Sequence, residues 1–193
     1  MADPRVQRTR QRVLDAAREL LAGVGPMAFT YTLLSERAGV TRQTLYRHWP
    51  TPTELLADLV LAGPDVGYPS PNTDPIVVAT EFLTSLRAGM NDATTAAIVM
   101  SLAAHADHDT HSSDALAAVA ENRRAALNTL LANTGRSVSP DEFARLVGPV
   151  FFQRFLARQP VTDQLIRTTV TAWLDTTVPA TPIPSTDAIP RIP

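Results

Sequence analysis

Immediately after Thr41 come Arg42, Gln43, Thr44 and Arg47, side chains of the kind that read a nucleic acid. Arginine grips guanine through two parallel N–H bonds, and glutamine pairs with adenine in the same two-point manner. A threonine hydroxyl reaches bases or phosphate oxygens. Such a set does this only if it projects from one rigid rod that fits a major groove, so the neighbouring elements must supply that rod.

The chain around these residues reads as short helices. Val13, Leu14, Ala17, Leu20 and Leu21 form the apolar stripe of a first helix over about 6–24, ended by Gly23, Gly25 and Pro26. A second helix follows Thr30 and carries Leu33, Leu34 and Ala38. Gly39 stops it, because the bend needs positive φ, and Thr41 caps a third helix with Leu45 and Tyr46 on its buried side. Two helices joined through Ala38-Gly39-Val40-Thr41 have the pattern of a helix-turn-helix. Thr51-Pro52-Thr53-Glu54 opens a fourth helix with a capping box and proline at its first position. Trp49 reads as a core aromatic, Tyr46 fits core and surface equally, and Arg12 and Arg18 read as a solvated helix face.

Charge agrees with this assignment. The 193 residues have a net charge of −2, but residues 1–48 hold eight arginines against four acids, and the remainder nine against fifteen. A basic head on an acidic body suits a polyanionic partner at one end. Arg5, Arg8 and Arg10 form a basic N-terminal arm that could approach the backbone or enter a minor groove. All seventeen basic residues are arginine, and no mechanism follows from that.

Composition excludes several classes of activity. With no cysteine there is no disulfide, thiolate metal site or cysteine nucleophile. The polar N-terminal residues do not resemble a secretory signal, and no apolar run reaches the length that spans a bilayer. A soluble, cytoplasmic protein without membrane contact is expected. Gly-x-Ser-x-Gly, a phosphate-binding loop and His-Glu-x-x-His are all missing, the acids are scattered, and neither an enzyme nor a cofactor is implied.

Motif and spacing together resemble the tetracycline-repressor (TetR/AcrR) family of bacterial transcription regulators. The resemblance runs through Arg12-Val13-Leu14-Asp15-Ala16-Ala17 and Phe29-Thr30, then Leu34-Ser35-Glu36-Arg37-Ala38-Gly39-Val40-Thr41 and Thr44-Leu45-Tyr46-Arg47-His48-Trp49-Pro50, and ends with Glu54-Leu55-Leu56. It covers roughly residues 8–60. It implies phosphate contacts at Thr30, Thr41, Tyr46 and His48, and base reading at Arg42, Gln43 and Thr44, helped by Arg47. Three positions depart from the family pattern. Gln43 stands where glycine or alanine is common, Pro52 where a lysine often begins the fourth helix, and Leu33 in a usually polar place. At Pro52 a side-chain phosphate contact implied by the family pattern is therefore missing, though the free amides of that helix end remain.

Beyond residue 62 the expectation is a second all-α unit. Residues 63–75 read as a Pro/Gly-rich linker; helices follow over about 75–91, 93–107, 112–133, 140–158 and 161–177; residues 178–193, with five prolines, read as an extended tail. The resulting division is a DNA-binding head over 1–50, a linking helix over 51–62, the linker, and a ligand-binding and dimerisation unit over 76–177. The resemblance implies a cavity for a small apolar effector. Its expected lining is Phe82, Leu86, Met90, Met100, His105, Phe151, Phe152 and Phe155, each of which ordinary core packing also explains. Phe152, Leu156, Leu165, Ile166, Val170 and Trp173 are expected to pair two copies through a four-helix interface, with a monomer core as the alternative.

His105-Ala106-Asp107-His108-Asp109-Thr110-His111 has metal-ligand residue types. Its third histidine is rotated off the face of the first two, so a solvated turn or a pocket mouth is the preferred reading and no metal site is assigned. The expected function is a homodimeric, ligand-responsive regulator, most simply a repressor, on a palindromic double-stranded operator. The alternative is an effector-independent DNA-binding regulator with a fully packed second unit.

Overall fold

The head helices begin and end where local chemistry demands. The structure, a computed structural model, describes residues 4–62 and 72–176. Helix α1 (Pro4–Val24) buries Val13, Leu14, Ala17 and Leu21. The chain leaves α1 through Gly25 at φ 74°, turns through a short 3-10 segment at Pro26–Ala28, and enters α2 (Tyr31–Ala38). Thr30 caps α2 by accepting from Leu33 N, and Gly39 ends it in the left-handed region at φ 63°. Helix α3 (Arg42–His48) starts at the cap Thr41, whose hydroxyl accepts from Thr44 N at 3.1 Å.

Helix α4 (Pro52–Ala62) starts beside Thr51, whose hydroxyl accepts from Glu54 N at 3.2 Å. The expected capping box is rearranged here: the Glu54 carboxylate takes the Thr51 hydroxyl at 3.3 Å in place of its backbone N–H. A complete box occurs instead at Ser139 and Glu142, where the carboxylate accepts from Ser139 N at 2.8 Å.

The body comprises α5 (Pro75–Asn91), α6 (Ala93–His105), α7 (Thr110–Leu131), α8 (Pro140–Phe151) and α9 (Asp163–Asp175). Asp74, Asp92, Asp109, Ser139 and Thr162 cap them in turn. Among the described residues there is no β-strand, and the chain is all-α. Helix α7 begins two residues before its expected start because Asp109 accepts from both His111 N and Ser112 N. Helix α8 stops being α-helical at Phe151 and widens into a π turn over Phe152–Leu156, short of the expected end at 158. Pro149, inside α8, removes one ladder donor just upstream, and Arg158 closes the turn at φ 55°.

Two apolar cores result. The first joins α1 to α4 with Ile98, Leu102 and Ala115 of α6 and α7. The second lies among α5, the C-terminal half of α7, α8 and α9, around Phe82, Leu127, Leu146 and Ile166. The head therefore rests on the body through shared side chains, and α4, packed along α7, is the element common to both. Most of the expected linker (63–71) and the whole tail lie outside the described residues, while Asp74 and Pro75 cap and open α5.

Candidate nucleic-acid interface

Helix α3 buries Leu45 completely and turns its polar side chains outward. Arg42, Gln43 and Arg47 are exposed and make no hydrogen bond or ion pair with any described residue. Gln43, Thr44, Tyr46 and Arg47 line one shallow depression on this surface. The Thr44 hydroxyl is engaged 2.9 Å from that of Thr41, so one of the pair donates inward and the other keeps a proton to give away. Thr30 likewise accepts from a backbone amide and retains its hydroxyl hydrogen for an outside acceptor.

The corner after α3 is built on aromatic rings. Tyr46, expected to be core or surface, is 53% exposed and meets Tyr31 edge-on at 5.0 Å between centroids. Tyr31 is buried, and its hydroxyl donates toward both Trp49 O (2.8 Å) and Thr51 O (2.7 Å), locking the turn from α3 into α4. Burial pushes the Tyr31 phenol far above its ordinary pKa, with the nearby Glu54 carboxylate adding to it. His48 leans on Trp49 at 5.7 Å, and Trp49 is core, as expected. Its indole N–H donates to Asp58 Oδ2 at 2.6 Å, which holds the end of α3 against α4.

Two expectations about the head are corrected. Arg10 is part of α1 and pairs with Asp58 Oδ2 at 2.6 Å, so it is not a residue of a free basic arm. Arg8 is likewise helical, and the Arg5 side chain lies outside what is described. Arg18 is not simply solvated: its Nη2 lies 3.5 Å from Leu59 O in the last turn of α4. Arg12 is exposed, as read.

The body contains a cavity of about 480 Å3 between α4, α5, α6, α7 and α8. Of the expected lining residues it includes Leu86, Met90 and Phe151. Phe82 does not line it, being 2% exposed in the second core, and Met100 is on the outer surface. Phe152 and Phe155 sit on the π turn away from it. His105 is exposed, and its Nδ1–H donates to Ser101 O at 2.7 Å. His108 and His111 are exposed too, so the stretch is a solvated turn that caps α7. No group of three or more metal-ligating side chains converges among the described residues.

The side of the cavity contributed by α7 escaped the sequence reading. Leu116, Ala120, Arg123 and Arg124 recur at helical spacing and share that wall. Arg124 clasps Glu121 with two bonds of 2.6 and 2.9 Å, and also donates to Val138 O at 3.1 Å. The Arg124 hydrogen bond holds the Glu121 carboxyl below its usual range. Arg123 donates from Nη2 to Val60 O at 2.9 Å, so a cavity side chain grips the end of α4.

At the α8–α9 end, Ile166 and Val170 are sealed in the second core and offer nothing to a partner, against expectation, whereas Trp173, 6% exposed, packs in that core and also lines a groove between α8 and α9 with Leu165. The apolar stripe of α9 is needed to close its own body. Leu165 is partly buried, whereas Phe152 (58% exposed) and Leu156 (74%) stand out from the surface.

Residues 13–59 match the family of bacterial regulatory proteins, tetR family. Three solved structures show how far the likeness extends. The TetR family transcription regulator SCO0332 is 25% identical, with a TM-score of 0.67 over 89% of this chain and 99% of its own. A TetR transcriptional regulator from Rhodococcus sp. RHA1 is 20% identical, with a TM-score of 0.62 over 89% and 98%. Thermus thermophilus FadR, a TetR family transcriptional repressor, is 15% identical, with a TM-score of 0.56 over 93% and 100%. A search of curated proteins returned no match. No described helix is long and apolar enough to cross a membrane. The tetR-family match thus covers the helix-turn-helix region over residues 13–59, and head and body together have the fold of TetR-family transcription regulators.

Proposed function

We propose that this protein is a homodimeric repressor that holds a near-palindromic operator and lets go when a small molecule enters the body cavity. The observation that carries the reading is the placement of Val60. It belongs to α4, packs in the head core, and also lines the cavity. A ligand that fills the cavity therefore touches the helix on which α3 is mounted through Trp49 and Asp58.

Arg42 and Gln43 would read base edges in the major groove, and Thr44 and Arg47 would flank them. Thr30, Thr41, Tyr46 and His48 would hold phosphates on either side. One such head binds weakly; two linked heads read half-sites about 34–36 Å apart or at multiples of that spacing. A shift of a few ångströms in α4 spoils the match. The division of labour follows as a head over 1–50, a linking helix over 51–62, and a body over 76–177 for ligand and partner. Phe152, Leu156 and Leu165 are the apolar groups available to a second copy.

The cavity favours this over an effector-independent regulator, whose body would be fully packed. Two proteins of similar fold are described with small molecules bound: multidrug binding protein EbrR with imidazole, and FadR with lauroyl-CoA. Such a protein would work in the cytoplasm, beside the DNA. Selection of bound sequences from a random DNA pool tests the reading, because it reports the operator, its symmetry and half-site spacing together. An inverted repeat is expected; enrichment of a single unrepeated site, or of none, overturns it.

A further inference from the structure

One face of α6 borders the cavity. Thr95, Val99 and Leu102 recur there at the spacing i, i+4 and i+7. Val99 and Leu102 are apolar, and Thr95 is the polar member of the three. Leu102 also packs in the head core, as Val60 does, so this face runs from Thr95 to the contact between body and head.

Thr95 is 8% exposed and sits in the first turn of α6. Its backbone N–H donates to the capping carboxylate of Asp92 at 2.7 Å. Its hydroxyl makes no hydrogen bond with any described residue. Among the described residues, Trp173 Nε1 is the one buried side-chain nitrogen or oxygen that is both unpartnered and sealed. The Thr95 hydroxyl is therefore open, and the space that Thr95 borders is the cavity. A buried hydroxyl in this condition is a hydrogen-bonding group waiting for a partner.

The other polar side chains that line the cavity are engaged within the protein. Glu121 and Arg124 clasp each other, Arg124 also donates to Val138 O, Arg123 donates to Val60 O, and Ser85 has a partner. A ligand that bonds to one of these competes with a bond already made; a ligand that bonds to Thr95 displaces none. The hydroxyl offers one proton and two lone pairs, which suit an uncharged oxygen group. A charged head group placed there would give up its hydration for a single neutral partner beside Val99 and Leu102. An anion would also face the Asp92 carboxylate held against the Thr95 backbone.

We propose that the effector is an uncharged lipophilic molecule whose oxygen group, a carbonyl or a hydroxyl, is held by the Thr95 hydroxyl, with its apolar part along Val99 and Leu102. This rests on the cavity being the effector site. It adds the chemical class of the effector and the side chain that selects it.

Thr95→Val is the central variant, because valine keeps the branched shape and removes only the hydroxyl. The test uses the full chain, its selected operator and probes of equal chain length: octane, methyl hexyl ketone, octanoate and octylammonium. Without ligand, Thr95→Val should melt at the parent's temperature or above it, since no bond within the protein is lost. The ketone should bind this variant about twofold to tenfold more weakly than the parent, and octane equally well or more tightly. Operator release by the ketone should need a concentration higher by the same factor. Thr95→Ser, which restores the hydroxyl, should keep the ketone affinity of the parent. Octanoate and octylammonium should bind the parent more weakly than the ketone does.

A lower melting temperature for Thr95→Val would place the hydroxyl in a bond inside the body and overturn the inference. So would an unchanged ketone affinity in that variant, or either ion binding the parent more tightly than the ketone. If the ketone releases the operator from parent and variant at the same concentration, the cavity remains the effector site and only the role of Thr95 falls. If no probe shifts the melting temperature or the operator affinity, the effector-site reading falls with it.

Discussion

Trp49 and Arg10 converge on a single atom, Asp58 Oδ2, each at 2.6 Å. One donor comes from the residue that follows α3, the other from α1, and the acceptor is on α4. The two bonds are not equal. Arg10 and Asp58 keep 42% and 28% side-chain exposure, so their ion pair contributes at most about 1 kcal/mol. Trp49 is 3% exposed, and an indole N–H left without an acceptor there costs about 1–3 kcal/mol.

Asp58→Ala is therefore expected to lower stability by about 1–3 kcal/mol, and Arg10→Ala by under about 1 kcal/mol. Urea denaturation of the two variants separates these values. Equal losses would mean that the ion pair, and not the indole bond, fastens α3 to α4. If α3 reads the operator as proposed, operator affinity should fall further in Asp58→Ala than its stability loss explains, because α3 is no longer held at one angle.

On the exposed face of α3, Arg42→Ala should cost about 1–3 kcal/mol of operator binding and relax the choice at one base pair. Gln43→Ala should do the same at a neighbouring pair. Tyr46→Phe removes only a hydroxyl and should weaken all sequences alike. Repeating the pool selection with each variant checks this. A uniform loss for Arg42→Ala would make it a phosphate contact, and a change confined to one base in Tyr46→Phe would remove it from the phosphate set.

Tyr31 supplies a prediction at alkaline pH. Its folded pKa lies above the ordinary value of 10.0, chiefly through burial. The proton is thus held more tightly in the folded state, and the stability this represents is complete below the unfolded value. It declines as pH rises past 10.0 toward the folded pKa. Ultraviolet titration of the phenolates should show one of the three tyrosines ionising only as the chain unfolds. In Tyr31→Phe that delayed step disappears. Its persistence in the variant would assign it to another tyrosine.

The parts of this site that depend on neighbours in sequence were legible. Thr30, Gly39 and Thr41 act within one turn of themselves, so their residue types announce caps and bends before any packing is known. Cavity lining was not, because an apolar residue at helical spacing looks the same whether it faces side chains or a hole. Phe82 and Phe151 illustrate this: the first is sealed in the core and the second borders the cavity. Arg10 and Arg18 lie on what reads as a polar face, and their acceptors are 48 and 41 residues away on α4. Nothing local marks such pairs. For α9, a strong apolar stripe showed that something is buried without saying whether by its own body or by a partner.

The exposed pair Phe152 and Leu156 decides the assembly question. Both side chains are largely in solvent, so Phe152→Glu with Leu156→Glu should change folding stability by less than about 1 kcal/mol. If these groups anchor the contact between two copies, each buries little in the monomer and much in the dimer, and truncated anchors of this type cost about 2 kcal/mol or more in association. The double variant should then sediment as a single chain at concentrations where the parent is a dimer, and lose operator affinity while a half-site oligonucleotide binds as before. Trp173→Ala is the contrast: it removes a core side chain 6% exposed and should cost about 3–5 kcal/mol of folding. A double variant that stays dimeric moves the interface elsewhere, and one that unfolds like Trp173→Ala makes the π turn part of the body's own packing.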